Sequence, residues 1–188
     1  MRMDRLLVPA VLAAVAVAGA AAAQPVAAQG TGEACGAVLS ALQRLGAAPR
    51  FHWKMSATAP TRRRPVEREE VVLDDVVYMT PDEGRWMKQR ITSAERLARM
   101  TDELARNPIS DCRPAGTDTL GDAAMLVYTY RQGDAAPKAG EAGENAPIAT
   151  KRIWVGADDG LPHLFKSAEG PVSVTMQVEY SRVEAPLP

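Results

Sequence analysis

Three stretches of this chain alternate apolar and polar residues with a period of two. In Arg50–Ala57, Phe51, Trp53, Met55 and Ala57 fall on one side, and Arg50, His52, Lys54 and Ser56 on the other. Ala123–Arg131 sets Ala124, Leu126, Tyr128 and Tyr130 against Met125, Val127, Thr129 and Arg131. Val172–Tyr180 sets Val172, Val174, Met176, Val178 and Tyr180 against Ser173, Thr175, Gln177 and Glu179. Successive side chains of a strand point to opposite faces, so each stretch predicts an antiparallel strand with one dry and one wet side. A single sheet of such strands must curl around its apolar face or cover that face with helices.

The remaining elements follow from turn and cap chemistry. Lys151–Lys166 reads as a hairpin: Arg152–Val155 and Leu161–Lys166 flank a Gly156–Gly160 turn containing Asp159-Gly160, where glycine takes a positive φ without a Cβ clash. Val66–Leu73 reads as a strand, broken at Asp74-Asp75. Val76–Thr80 and Arg85–Thr92 read as a second hairpin across Pro81-Asp82-Glu83-Gly84. Two helices are available as cover. Ala34, Ala37, Val38, Ala41, Leu42 and Leu45 form one helical stripe that ends at Gly46 and Pro49. Ala94–Arg106 forms the other, with Ser93 as N-cap, a narrow stripe of Leu97, Met100 and Leu104, and a stop at Asn107-Pro108. Asp111–Asp118 reads as a loop around Cys112, and Gln132–Ala149 as a mobile loop too poor in apolar residues to order itself. The fold class is α+β.

The N-terminus is a targeting segment. Arg2 and Arg5 precede the uncharged run Leu6–Ala23, and small residues offer cuts before Gln24 or Gln29, the three-part pattern of a secretory signal peptide. A retained anchor is the competing reading, but the run barely reaches spanning length and is rich in weakly hydrophobic alanine. Residues 1–23 are thus assigned to the signal, 24–32 to a flexible tether and 33–185 to one domain, with no stable membrane span once the signal is cut. An exported chain is expected in the periplasm. Its two cysteines, Cys35 and Cys112, then read as a structural disulfide, a staple of about 4–5 kcal/mol in the chain-entropy model. A redox pair would sit as C-x-x-C, and a metal site with His52 and His163 would need local ligand pairs, so no metal is expected. The formal net charge of −1 lacks the basic excess of a nucleic-acid binder.

The order of elements resembles the LolA-like lipoprotein-carrier superfamily. So do two phrases: Val76-Val77-Tyr78-Met79 followed by Pro81, Asp82, Gly84 and Trp86-Met87, and Arg152-Ile153-Trp154-Val155 followed by Asp159-Gly160-Leu161-Pro162. The similarity spans Cys35 to Val183. It implies a curled, incomplete β-barrel whose concave face is covered by the N-terminal and inserted helices, and a hydrophobic cavity that shields acyl chains in the periplasm. The low aromatic content (5%), the expected disulfide and the long Gln132–Ala149 loop depart from lipoprotein carriers. No single position matches the carriers' lid-contacting arginine, for which Arg62, Arg63 and Arg64 are neighbouring candidates. A cone-shaped α+β sheet packed on helices would fit the same pattern.

Trp53, Met55, Trp86, Met87, Met125, Tyr128 and Trp154 are candidates to line a ligand cavity, where methionines adapt to varied acyl shapes. Ordinary core packing is the alternative for all seven. Arg62, Arg63 and Arg64 could meet an envelope partner or an anionic lipid, against the simpler reading of a solvated turn. His52 and His163 each read first as surface histidines. Asp74-Asp75 and Asp158-Asp159 sit in turns, where adjacent carboxylates point apart. No G-x-S-x-G, H-E-x-x-H, phosphate loop or dinucleotide fingerprint is present. The expected function is a non-catalytic periplasmic carrier or binder of a lipid-like or acylated ligand, without cofactor. A periplasmic protein-interaction module and an envelope hydrolase built around His52 or His163 are the alternatives.

Overall fold

A computed structural model describes residues 31–80, 85–133 and 150–186. The signal segment, nearly all of the tether, the Pro81–Gly84 turn and almost all of the Gln132–Ala149 loop lie outside the described residues. The chain begins with helix α1 (Thr31–Ala47), then strands β1 (Arg50–Thr58), β2 (Val66–Leu73), β3 (Val76–Met79) and β4 (Met87–Arg90). Helix α2 (Ser93–Arg106) is inserted next. Strands β5 (Ile109–Leu120), β6 (Ala123–Gln132), β7 (Thr150–Gly156), β8 (Pro162–Glu169) and β9 (Val172–Glu179) complete it.

Among the described residues the strands form one antiparallel sheet in the order β4-β3-β2-β1-β9-β8-β7-β6-β5. Every pairing joins strands consecutive in sequence except that of β1 with β9, which joins the two halves of the chain; β4 and β5, though consecutive, do not pair. The sheet is curled and not closed: β4 and β5 are free edges. The fold is thus the α+β arrangement expected.

The predicted stripe of α1 is its buried face. Ala34, Val38, Ala41, Leu42 and Leu45 are all buried. The first part packs with Cys112, Tyr128, Tyr130, Ile153 and Val155 of β5–β7. Leu45 and Ala48 pack instead with Phe51, Val72, Val77 and Val178 on β1–β3 and β9, and with Ile91 just after β4. One helix therefore bridges two clusters on the concave face. Cys35 and Cys112 are disulfide-bonded, fixing the first turns of α1 to the edge strand β5 across a sequence separation of 77.

Three local expectations need correcting. Asp111–Asp118 is not a loop but the middle of β5. Its polar residues and Pro114 concealed it, yet an edge strand is hydrogen-bonded on one side only, so a proline and exposed polar groups are tolerated there. Register shifts at Ser110/Arg113 and Pro114/Gly116 absorb the irregularity. The N-cap of α2 is Thr92, not Ser93. Its hydroxyl accepts from the Glu95 N–H, while the Glu95 carboxylate accepts from the Thr92 N–H at 2.7 Å, a capping box. That cap ends β4 early, so the strand expected over Arg85–Thr92 shrinks to Met87–Arg90, and Ile91 turns into the core. Gly160 adopts φ +65°, as the Asp-Gly turn requires.

β6 departs from simple alternation, because both of its faces are buried. Tyr128 and Tyr130 face α1, whereas Met125 and Val127 join Trp154 and Leu164 in a cluster on the other side of the sheet.

Candidate functional site

α2 packs on α1 and stands off the sheet. None of its residues is fully buried, although its apolar stripe is well formed. The contact with α1 is close at Gly46, where a Cβ would lie 3.3 Å from the Met100 Cβ and 3.4 Å from the Leu97 Cα. A side chain at this position would push the helices apart by a few tenths of an ångström. The start of α2 is held by Arg96. Its Nη1 donates to the carbonyls of Asp74 (2.9 Å) and Ile91 (3.1 Å), and its Nη2 to the carbonyl of Ala48 (2.7 Å). One guanidinium thus ties α2 to the end of α1 and to the β2–β3 turn. Burial pushes its pKa down, and nearby Asp75, Glu70 and Asp74 oppose that.

Beneath α2 lies a hollow of about 560 Å³. Its floor is Phe51 and Trp53 of β1, Glu70 of β2, Val77 and Met79 of β3, and Met176 of β9; α1 closes it at Leu45 and Gly46. A second hollow of about 260 Å³ adjoins it and shares Leu45, Met100 and Met176. Met55, Phe165, Val174 and Leu42 line the second one. Volumes of this size suit small-molecule sites, and the walls are mainly apolar.

The charged groups of the larger hollow are Glu70 from the sheet and Arg96, Arg99, Glu103 and Arg106 from α2. Glu70 stands opposite Trp53 on one side and Met79 on the other. Burial raises its pKa, and the Trp53 indole N–H and the Arg96 guanidinium partly offset this. At the far end of the smaller hollow, Lys151 donates to Gln132 Oε1 at 2.8 Å. On α2, Glu103 accepts from Asn107 (2.7 Å) and Arg106 (3.1 Å), which lowers its pKa. Burial pushes the Tyr130 hydroxyl up to about 12.

The seven candidate cavity residues do not converge. Trp53 lines the larger hollow and Met55 the smaller. Met87, half exposed on β4, borders a shallow groove beside Trp53, Glu70 and Met79. Trp86 is half-buried just before β4. Tyr128 is packed under α1 with Ala34 and Val38. Met125 and Trp154 lie on the opposite face of the sheet, where the Trp154 indole donates to Asp118 Oδ2 at 2.8 Å. The hollow is built largely from residues not singled out in sequence: Met79, Met100, Phe165, Met176, Glu70 and Arg96. Met176 carried a usable signal, being on the dry side of its strand beside Val174. Glu70 carried a misleading one, as the last of the charged run Glu67–Glu70.

The other candidates are dispersed. Arg62, Arg63 and Arg64 are exposed in the β1–β2 turn. His52 Nε2 meets Glu69 Oε2 at 2.8 Å on the outer face. His163 Nε2 meets Asp159 Oδ2 at 3.0 Å and stands edge-on to Tyr180, with ring centroids 5.2 Å apart. Among the described residues no three His, Cys, Asp or Glu side chains could share a metal ion, and no helix is long and apolar enough to cross a membrane.

No protein-family model matches the chain, and no curated protein matches it in sequence. Solved structures do match. Lipoprotein LppX from Mycobacterium tuberculosis superposes with a TM-score of 0.50 at 12% identity, over 85% of this chain and 99% of that one. The chain shares the fold of that lipoprotein. LprF from Mycobacterium bovis matches with a TM-score of 0.43 at 11% identity, over 84% of this chain and 95% of its own. A LolA superfamily protein, NE2245 from Nitrosomonas europaea, matches with a TM-score of 0.30 at 7% identity, over 81% and 94%. At such identities the likeness is one of fold alone.

Proposed function

We propose that the protein is a non-catalytic binder or carrier of an acyl-chain amphiphile, held between the concave face of the sheet and α2, and that it acts in the periplasm after export. The observation that carries this is the pair of adjoining apolar hollows, about 560 and 260 Å³, under a helix with no buried residue. Each methylene transferred from water into them would contribute about 0.8 kcal/mol. Methionines 55, 79, 100 and 176 around the hollows give walls that adapt to different chains. The LolA-like fold supports the same reading, as do the N-terminal leader and the disulfide for an oxidising compartment.

A binder is favoured over a hydrolase because His52 and His163 each engage a neighbouring carboxylate away from the hollows. Native mass spectrometry on protein purified from its own envelope should find an acyl-bearing molecule. Repeated recovery of ligand-free protein that also fails to displace a fluorescent fatty-acyl reporter would refute the proposal.

A further inference from the structure

We infer that the hollow beneath α2 selects amphiphiles whose polar end donates hydrogen bonds and carries no negative charge, and that Glu70 makes this selection; the inference rests on the proposed amphiphile-binding role. Among the described residues lining the larger hollow, Glu70 is the only ionisable side chain that the sheet contributes. The other charged lining groups, Arg96, Arg99, Glu103 and Arg106, all hang from α2. Across the strands Glu70 is flanked by Met79 and Trp53, and along β2 its next neighbour on the same face is the fully buried Val72. A carboxyl is therefore set into an apolar wall.

An ionised carboxylate offers about four acceptor positions. At Glu70 its charge is eased only by the Trp53 indole N–H and the Arg96 guanidinium. The terminal nitrogens of Arg96 donate to three backbone carbonyls, and its Nε is buried without a partner. Glu70 lines the hollow, so acceptor capacity that these two groups leave over is open to a ligand there. A ligand hydroxyl or ammonium would satisfy it. A ligand carboxylate or phosphate would place like charges together in a poorly hydrated site, and that repulsion discriminates more strongly than shape. The acyl chain would run past Leu45, Met100 and Met176 into the smaller hollow. The rival seats for an anion are the α2 arginines, Arg99 and Arg106, and the opposite end, where Lys151 and Gln132 lie.

The test is displacement of a fluorescent fatty-acyl reporter at neutral pH by monooleoylglycerol, methyl oleate and oleate, using the wild type, E70Q and E70A. The wild type should bind monooleoylglycerol about tenfold or more tightly than either competitor, the scale of one charge-assisted hydrogen bond. E70A should erase the preference over methyl oleate. E70Q, nearly isosteric and still an acceptor, should keep monooleoylglycerol and admit oleate. Oleate binding to the wild type as well as monooleoylglycerol would overturn the inference and point to the α2 arginines or the Lys151 end. So would an unchanged ranking in E70A and E70Q. If none of the three lipids displaces the reporter, the amphiphile-binding role itself fails, and the inference with it.

Discussion

Arg96 carries more of the local structure than any other charged residue on α2. Its three acceptors belong to the end of α1, the β2–β3 turn and the segment before α2. Removing the guanidinium leaves those carbonyls without their donor, so Arg96→Leu should cost about 2–3 kcal/mol in urea unfolding. Arg96→Lys should recover only part of that, because an ammonium cannot span three separated carbonyls. Glu70 acts in the opposite sense. Its folded-state pKa lies above the ordinary value of 4.5, so between 4.5 and the folded value the folded chain holds a proton there that the unfolded chain releases. The resulting penalty is present above the folded pKa and relieved as pH falls toward 4.5. Glu70→Gln should therefore be more stable than the wild type at neutral pH, and the difference should vanish in acid. Equal pH–stability curves for the two proteins would contradict this. Neither role was legible in sequence. Arg96 is one of several charges along α2, and Glu70 ends the charged run Glu67–Glu70; nothing local marks either one, because the register that sets Glu70 beside Trp53 is a property of the β1–β2 pairing.

At the scale of elements, α2 is the part built to move with least cost. It lacks a fully buried residue and rests on α1 through the close approach at Gly46. Gly46→Val would force its side chain against Leu97 and Met100. Such overpacking should cost about 1–3 kcal/mol and lift α2 from α1. Hydrogen exchange should then quicken at α2 amides while β6–β8 amides keep their protection; uniform loss of protection would mean global destabilisation instead. The boundaries of α1, β1, β2 and β9 were legible within a residue or a few, because period and caps agree there. β5 was not, since its polar, proline-containing sequence is accommodated by its place at the sheet edge and by register shifts that local sequence does not report. That the dry face is partly hollow was implied only by the family resemblance: alternation says which side is apolar, not how far the covering helix stands from it.

For the molecule as a whole, the disulfide fastens α1 to the outermost strand. Replacing both cysteines with serine releases a constraint across 77 positions. In the chain-entropy model this lowers stability by about 4–5 kcal/mol, measurable by denaturant unfolding of the double variant beside the oxidised wild type. A near-identical midpoint would show that residual structure in the unfolded chain makes the bond redundant.

The sheet order has a consequence for how the polypeptide comes together in time. β9 lies between β1 and β8, so the first four strands pair with the later ones only through β9. A chain emerging from the N-terminus can pair its strands in two separate sets but cannot seam the sheet until β9 arrives. Until that moment the greasy interior stays open to whatever else is unfolded nearby.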